Sequence, residues 1–389
     1  MIEHIRRDER GVAAETIPWY AASTLTGLET PPPTNTNQVV IGVVDRAINR
    51  HLQAFRDRVR NPQPRERRTR SGQTAFDTYG WNFVSNDADT WTETGLGASA
   101  GHGTRVAGSI IAPRGEGMFG SFPDALVIPA VVANSDVVHL PEVVEALCYF
   151  IDLRQRGVNL AAVNLSLGFC ENELTATEVR SLTDVVRALD LEGVLVVASA
   201  TNYTQACRRR CSSCLRECKN HDICGYLPAS LHLRNVVGVA AANRISFCSG
   251  STIGRCDEDR NCGGHGALSI DLHGPAESVP SLDPNGSVGI FHGTSLAAPI
   301  VSAVAAMVVN AHPVIRGAAL RSRILQSVHF LEYCDYRNRS CSEGIVNAPD
   351  AISGLGDAGS RCLSNDESQA VPAASCRDAG VPCDSPGGP

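Results

Sequence analysis

The run Gln38-Val39-Val40-Ile41-Gly42-Val43-Val44-Asp45 is the strongest constraint on the fold, because between its polar ends nothing interrupts it except one glycine. A strand with one wet face alternates apolar and polar residues. A strand that is apolar throughout has both faces covered, the condition of a parallel sheet with crossover helices. The same character returns in Ala125–Val132, Ala161–Gly168, Gly193–Ala200 and Asn235–Ala241. Between these runs lie apolar stripes at helical spacing. In Leu140–Arg156 the stripe is Val143, Val144, Leu147, Phe150, Ile151 and Leu153; in Thr177–Leu191 it is Val179, Leu182, Val185, Val186 and Leu189. Strands alternating with helices predict an α/β fold, a mostly parallel central sheet with helices on both faces.

Composition narrows the function classes. With 389 residues and 43% hydrophobic content, one large domain or two ordinary ones is expected. A net charge of -7 argues against nucleic acid as the main partner. The longest apolar run, Leu296–Ala311, holds Pro299, Ser302 and Asn310 and is too short for a membrane span. The N-terminus shows no apolar core of a secretory signal. The 15 cysteines pull the other way, toward a compartment outside the cytoplasm. Composition leaves the compartment and the oligomeric state undetermined.

Residues 1–37 read as an N-terminal arm and linker, closing on Pro31-Pro32-Pro33, with processing as a small prosegment one hypothesis for them. A main domain is expected over 38–330. Within it, 46–98 is loop-rich, and the basic cluster Arg65–Arg70 reads most simply as a solvated loop. Oxygen-rich residues around Asn86-Asp87-Ala88-Asp89 are compatible with calcium, but the ligand spacing is incomplete and no metal site is assigned. Residues 203–225 form a cysteine-rich insertion with Cys207, Cys211, Cys214, Cys218 and Cys224. Disulfides are the favoured reading there. Zinc on Cys211-x-x-Cys214 with His221 is the lesser one, since no second Cys-x-x-Cys follows at the spacing of a zinc ribbon. Arg316–Val328 predicts a closing helix, and 331–389 a cysteine-containing C-terminal extension, partly irregular.

Four residues stand where chemistry is done in such a fold. Asp45 ends the first strand, and ligands in open α/β sheets bind beyond the carboxyl ends of strands. His102 sits between Gly101 and Gly103 at a helix entry. Asn202 follows the strand Gly193–Ala200. Ser295 opens the apolar helix, where free N–H groups and the positive end of the helix dipole gather. Alone, Ser295 reads as an ordinary helix cap. Together the four make an acyl-transfer set: a hydroxyl nucleophile, a base, a carboxylate that orients the base, and an amide for the oxyanion.

The motifs around them resemble those of the subtilisin-like (subtilase) serine peptidases, whose triad runs Asp, His, Ser along the chain. Gly293-Thr294-Ser295-Leu296-Ala297-Ala298-Pro299 matches the family's serine segment save one apolar exchange. His102-Gly103-Thr104-Arg105-Val106-Ala107-Gly108 matches except at Arg105, where histidine is usual, and Val43-Val44-Asp45 matches the aspartate strand. The resemblance implies a three-layer subtilisin-like fold. It implies a serine endopeptidase acting on polypeptides with no cofactor, with Asp45, His102 and Ser295 as triad and Asn202 as oxyanion residue. It further implies substrate binding by Ser166, Leu167, Gly168, Ala200 and Thr201. The alternative is a catalytically impaired scaffold of this family that acts as a binding protein. Two departures bear on the site: Arg46-Ala47 follow Asp45 in place of a small hydroxyl residue and glycine, and Thr201 replaces the usual glycine beside Asn202.

Overall fold

The computed structural model describes residues 6–7, 38–91, 101–115, 117–135, 137–202, 225–242, 268–330 and 344–354. The cysteine-rich insertion, most of the N-terminal arm and residues 355–389 lie outside them.

The centre is a nine-stranded sheet. Its strands in chain order are β2 (Val40–Asp45), β5 (Trp81–Asn82), β6 (Leu126–Val131), β7 (Leu160–Leu165), β9 (Leu195–Ser199), β11 (Val236–Ala242), β12 (Leu272–Pro275), β15 (His329–Phe330) and β16 (Gly344–Ile345). They lie in the order β15-β16-β12-β11-β9-β7-β2-β6-β5, all pairs parallel except β15 with β16. Smaller ribbons flank the sheet: β3 (Glu66–Arg68) with β4 (Thr74–Phe76), β8 (Phe169–Cys170) with β10 (Tyr226–Leu227), and β1 (Arg6–Arg7) with β14 (Val288–His292) and β13 (Val279–Leu282).

The apolar runs are continuous because successive residues serve opposite cores. Along β2, Ile41 and Val43 belong to one buried cluster, and Val40 and Val44 to the other. The first cluster is covered by α1 (His102–Ile111) and α4 (Thr294–Ala311), the second by α2 (Leu140–Gln155) and α3 (Ala176–Leu191). This is the three-layer α/β architecture expected. Among the described residues α4 alone has the length and apolarity to cross a membrane, yet 94% of it is buried inside the fold. It is a core helix, and each large apolar side chain it buries contributes roughly 1.5–3 kcal/mol.

Two regions hold more structure than their composition indicates. The basic cluster is not simply solvated. Arg65 pairs with Asp152 at 2.9 Å, and the Arg67 guanidinium lies 5.0 Å from the ring centres of both Trp81 and Tyr149. These contacts fasten the β3–β4 hairpin to α2 and the sheet edge. Past residue 330, β16 pairs with β12, and α6 (Ala348–Ser353) buries Ala348 and Ala351 in the first cluster. The closing helix α5 spans Gly317–Gln326.

Candidate active site

Asp45 is the last residue of β2 and is fully buried. Its Oδ1 accepts from the backbone N–H of Arg46 at 2.7 Å and lies 2.7 Å from His102 Nδ1. His102 is the first residue of α1. The helix can start this close to β2 because its next residue is glycine: a Cβ on Gly103 would stand 2.3 Å from the Arg46 carbonyl oxygen. His102 is itself buried, and its Nε2 has no hydrogen-bond partner among the described residues. A hydroxyl–imidazole contact that is absent in a free enzyme can still form once substrate is bound.

Ser295 is the second residue of α4 and is fully buried. The residue before the helix, Gly293, has φ +134°, a conformation open to glycine. Asn202 is clamped onto this entry. Its Oδ1 accepts from Thr294 N at 2.8 Å and from the Thr294 hydroxyl at 3.1 Å. With Oδ1 accepting in this way, Nδ2 is the donor end of the Asn202 carboxamide.

Pro299, inside α4, has no N–H to give the carbonyl four residues earlier, which is that of Ser295. The Ser166 hydroxyl supplies the missing donor at 2.8 Å. Asn164 Nδ2 donates to Ser166 Oγ at 3.0 Å, and the Ser302 hydroxyl reaches Asn164 Oδ1 at 3.2 Å. A buried polar chain thus links β7 to the backbone of Ser295. Asn164 and Ser302 carry no motif of their own, and only the approach of α4 to β7 identifies them.

Of the expected substrate-binding residues, Ser166, Leu167 and Ala200 are fully buried, so these three can offer a peptide little beyond backbone groups. Just past Gly168, the ribbon edge of β8 is already taken by β10, with Leu227 opposite Phe169. Cys170 in that ribbon is disulfide-bonded, and its partner lies outside the described residues. Thr201 has φ +47°, a left-handed conformation that costs a β-branched residue on the order of 1–2 kcal/mol.

Arg105 ties the helix of His102 to the strand that leads to Ser295. Its guanidinium donates through Nε and Nη2 to Asp283 Oδ1, at 2.9 and 2.7 Å, and lies 4.9 Å from the ring centre of Phe291 in β14. The Ser281 hydroxyl donates to the Arg105 carbonyl at 2.6 Å. Among the described residues no group of three or more His, Cys, Asp or Glu side chains could hold a metal ion. The Cys211–Cys214 zinc option falls outside them.

The family model for the subtilase family, Peptidase S8, matches residues 36–356. The subtilisin of Bacillus pumilus is 25% identical over 272 residues, covering 69% of this chain and 81% of that protein. Subtilisin E of Bacillus subtilis is 24% identical over 272 residues, and the match spans 58% of its length. Among solved structures, the A subunit of the AB5 toxin from E. coli superposes with a TM-score of 0.61 at 20% identity, over 87% of this chain and 99% of that one. A cold-adapted subtilisin-like serine proteinase superposes with a TM-score of 0.57 at 19% identity, over 81% and 90%. With the family model covering the sheet, both core-facing helix layers and all four candidate residues, this chain belongs to the subtilase family.

Proposed function

We propose that this chain is a serine endopeptidase that hydrolyses peptide bonds through an acyl-enzyme. Ser295 attacks the scissile carbonyl, and His102 takes the hydroxyl proton on Nε2. Asp45 fixes the imidazole with its proton on Nδ1 and stabilises the imidazolium. Asn202 and the backbone N–H of Ser295 hold the oxyanion. His102 then protonates the leaving amine, and a water, deprotonated by the same imidazole, releases the acyl group. The observation that carries this reading is the buried 2.7 Å contact between Asp45 Oδ1 and His102 Nδ1, which leaves Nε2 as the nitrogen for proton transfer.

Substrates are polypeptides, bound as an added strand along the backbone of residues 166–168. Thr201, in the place of the usual glycine, narrows the pocket for the residue ahead of the cleaved bond. No cofactor takes part in these steps. A fluorophosphonate probe tests the reading. Labelling of the wild type that disappears in Ser295→Ala supports the peptidase. A folded wild type that resists labelling supports the impaired scaffold instead.

A further inference from the structure

β7 and β9 are neighbouring parallel strands, with Leu165 opposite Ala198, and the chain runs on from the carboxyl end of each toward the entry of α4. From the first extension the Ser166 hydroxyl reaches the Ser295 carbonyl. From the second, Asn202 grips Thr294. A peptide laid along 166–168 with its carbonyl at Ser295 therefore sends the side chain ahead of the cleaved bond between the two extensions, into a crevice beyond the carboxyl ends of the strands.

The turn 226–230 closes the back of that slot. At its start the Tyr226 ring lies against Gly168: a Cβ on Gly168 would stand 2.5 Å from Tyr226 Cε1 and 2.7 Å from the Leu227 carbonyl oxygen. Further along, the Ala229 carbonyl oxygen lies against Gly238 of β11, 2.3 Å from where a Cβ would stand. β9 lies between β7 and β11, with Ala198 opposite both Leu165 and Gly238. The turn thus crosses the end of β9, from one neighbour to the other, behind residues 200–202. Its backbone is fixed. Tyr226 N donates to Ser230 Oγ at 2.8 Å, Ser230 N donates to the Tyr226 carbonyl at 3.0 Å, and Tyr226 stands opposite Cys170 in the β8–β10 ribbon. Tyr226 is buried, and Leu227 and Ala229 share a buried cluster with Leu167 and Ala200. A close-packed ring on a fixed backbone yields little to a side chain pressed against it.

We propose that Tyr226 sets the depth of this slot, so that the chain cleaves after residues with small side chains, glycine, alanine or serine, and excludes leucine and aromatic residues there. Thr201 bounds the slot from the β9 side, and the Tyr226 ring bounds it from the back, in the room that Gly168 leaves. The inference rests on the peptidase reading and on substrate pairing along 166–168.

The test is a series of quenched peptides, identical except for glycine, alanine, serine, leucine or phenylalanine ahead of the cleaved bond. It is run on full-length wild type, Tyr226→Ala, Tyr226→Leu and Tyr226→Phe, with fluorophosphonate labelling to count active sites and circular dichroism to confirm folding. Wild type should favour alanine over phenylalanine by at least about tenfold in kcat/KM. Tyr226→Ala should raise kcat/KM for phenylalanine about 10- to 100-fold and leave alanine within about threefold. The milder Tyr226→Leu carries the comparison where Tyr226→Ala does not fold. Tyr226→Phe should keep the wild-type order, because the ring and not the hydroxyl fills the space. A wild type that cleaves after phenylalanine as fast as after alanine overturns the proposal, whether or not any variant folds. A selective wild type whose preference survives the truncation overturns it equally and leaves the selection to Thr201. If folded wild type neither labels nor cleaves any peptide, the peptidase reading is what fails. The slot is then read as anisotropy of fluorescent alanine and phenylalanine peptides on wild type and the folded truncation. A gain in binding confined to the phenylalanine peptide on the truncation sustains the role of Tyr226, and equal or absent binding overturns it.

Discussion

Ser166→Ala isolates the support beneath Ser295, the nucleophile of the proposed mechanism. The Ser166 hydroxyl is fully buried, donates to the Ser295 carbonyl that Pro299 leaves unserved, and accepts from Asn164 Nδ2. Removing it takes a donor from one buried carbonyl and the acceptor from one buried amide hydrogen. Each costs about 1–3 kcal/mol, and partial relaxation brings the expected total to about 2–4 kcal/mol. The loss should appear as a lower denaturation midpoint at constant m-value. Because the carbonyl belongs to Ser295 itself, kcat should also fall, roughly 10- to 100-fold, with KM little changed. The decisive measurement is the double-mutant cycle with Pro299→Ala. Alanine restores an N–H in helical register with the Ser295 carbonyl, so Ser166→Ala should cost about 1 kcal/mol less in that background. Strict additivity of the two substitutions would refute the argument that Ser166 stands in for the missing proline donor.

Three further outcomes follow from particular contacts. Asp45→Asn keeps the shape of the buried site but cannot hold the His102 tautomer. kcat on a peptide substrate should drop about 10⁴-fold while the circular dichroism spectrum is unchanged. Thr201→Gly relieves about 1–2 kcal/mol of backbone strain and gives back about 0.5–1 kcal/mol because glycine raises the conformational entropy of the unfolded chain. Chemical denaturation should therefore show a small gain, and kcat/KM should rise selectively for peptides with a bulky residue ahead of the cleaved bond. Burial foremost, then the nearby Asp77 carboxylate, holds the Tyr149 phenol well above its ordinary value of 10.0. The folded state therefore keeps a proton that the unfolded state gives up. That contribution is whole below about pH 10 and falls away as pH rises beyond it. Thermal melts from pH 9 to 11.5 should show a shallower alkaline decline in Tyr149→Phe than in wild type.

What could be read from the chain, and what could not, divides along the range of the forces involved. β2 was legible because both its faces are buried and no polar side chain interrupts it before Asp45. Asp45, His102, Asn202 and Ser295 were legible because each sits where a strand ends or a helix begins, and the local pattern marks those boundaries. Ser166 stood out as part of a strand end, but the hydrogen bond its side chain makes could not be read locally. Its partner lies 129 residues away, and nothing near Ser166 announces that Pro299 will leave a carbonyl short of a donor. Arg105 is similar: its departure from the usual histidine was visible, but its meaning depends on Asp283, 178 residues distant. Taken together, these long-range contacts make one physical point. Ser295 is restrained from three directions that share no local sequence: Asn202 grips the backbone ahead of it, Ser166 holds its carbonyl, and Arg105 ties β14 to the helix of His102. On the proposed mechanism, loss of any one of these restraints should loosen Ser295, because each acts at a different point and the other two cannot replace it.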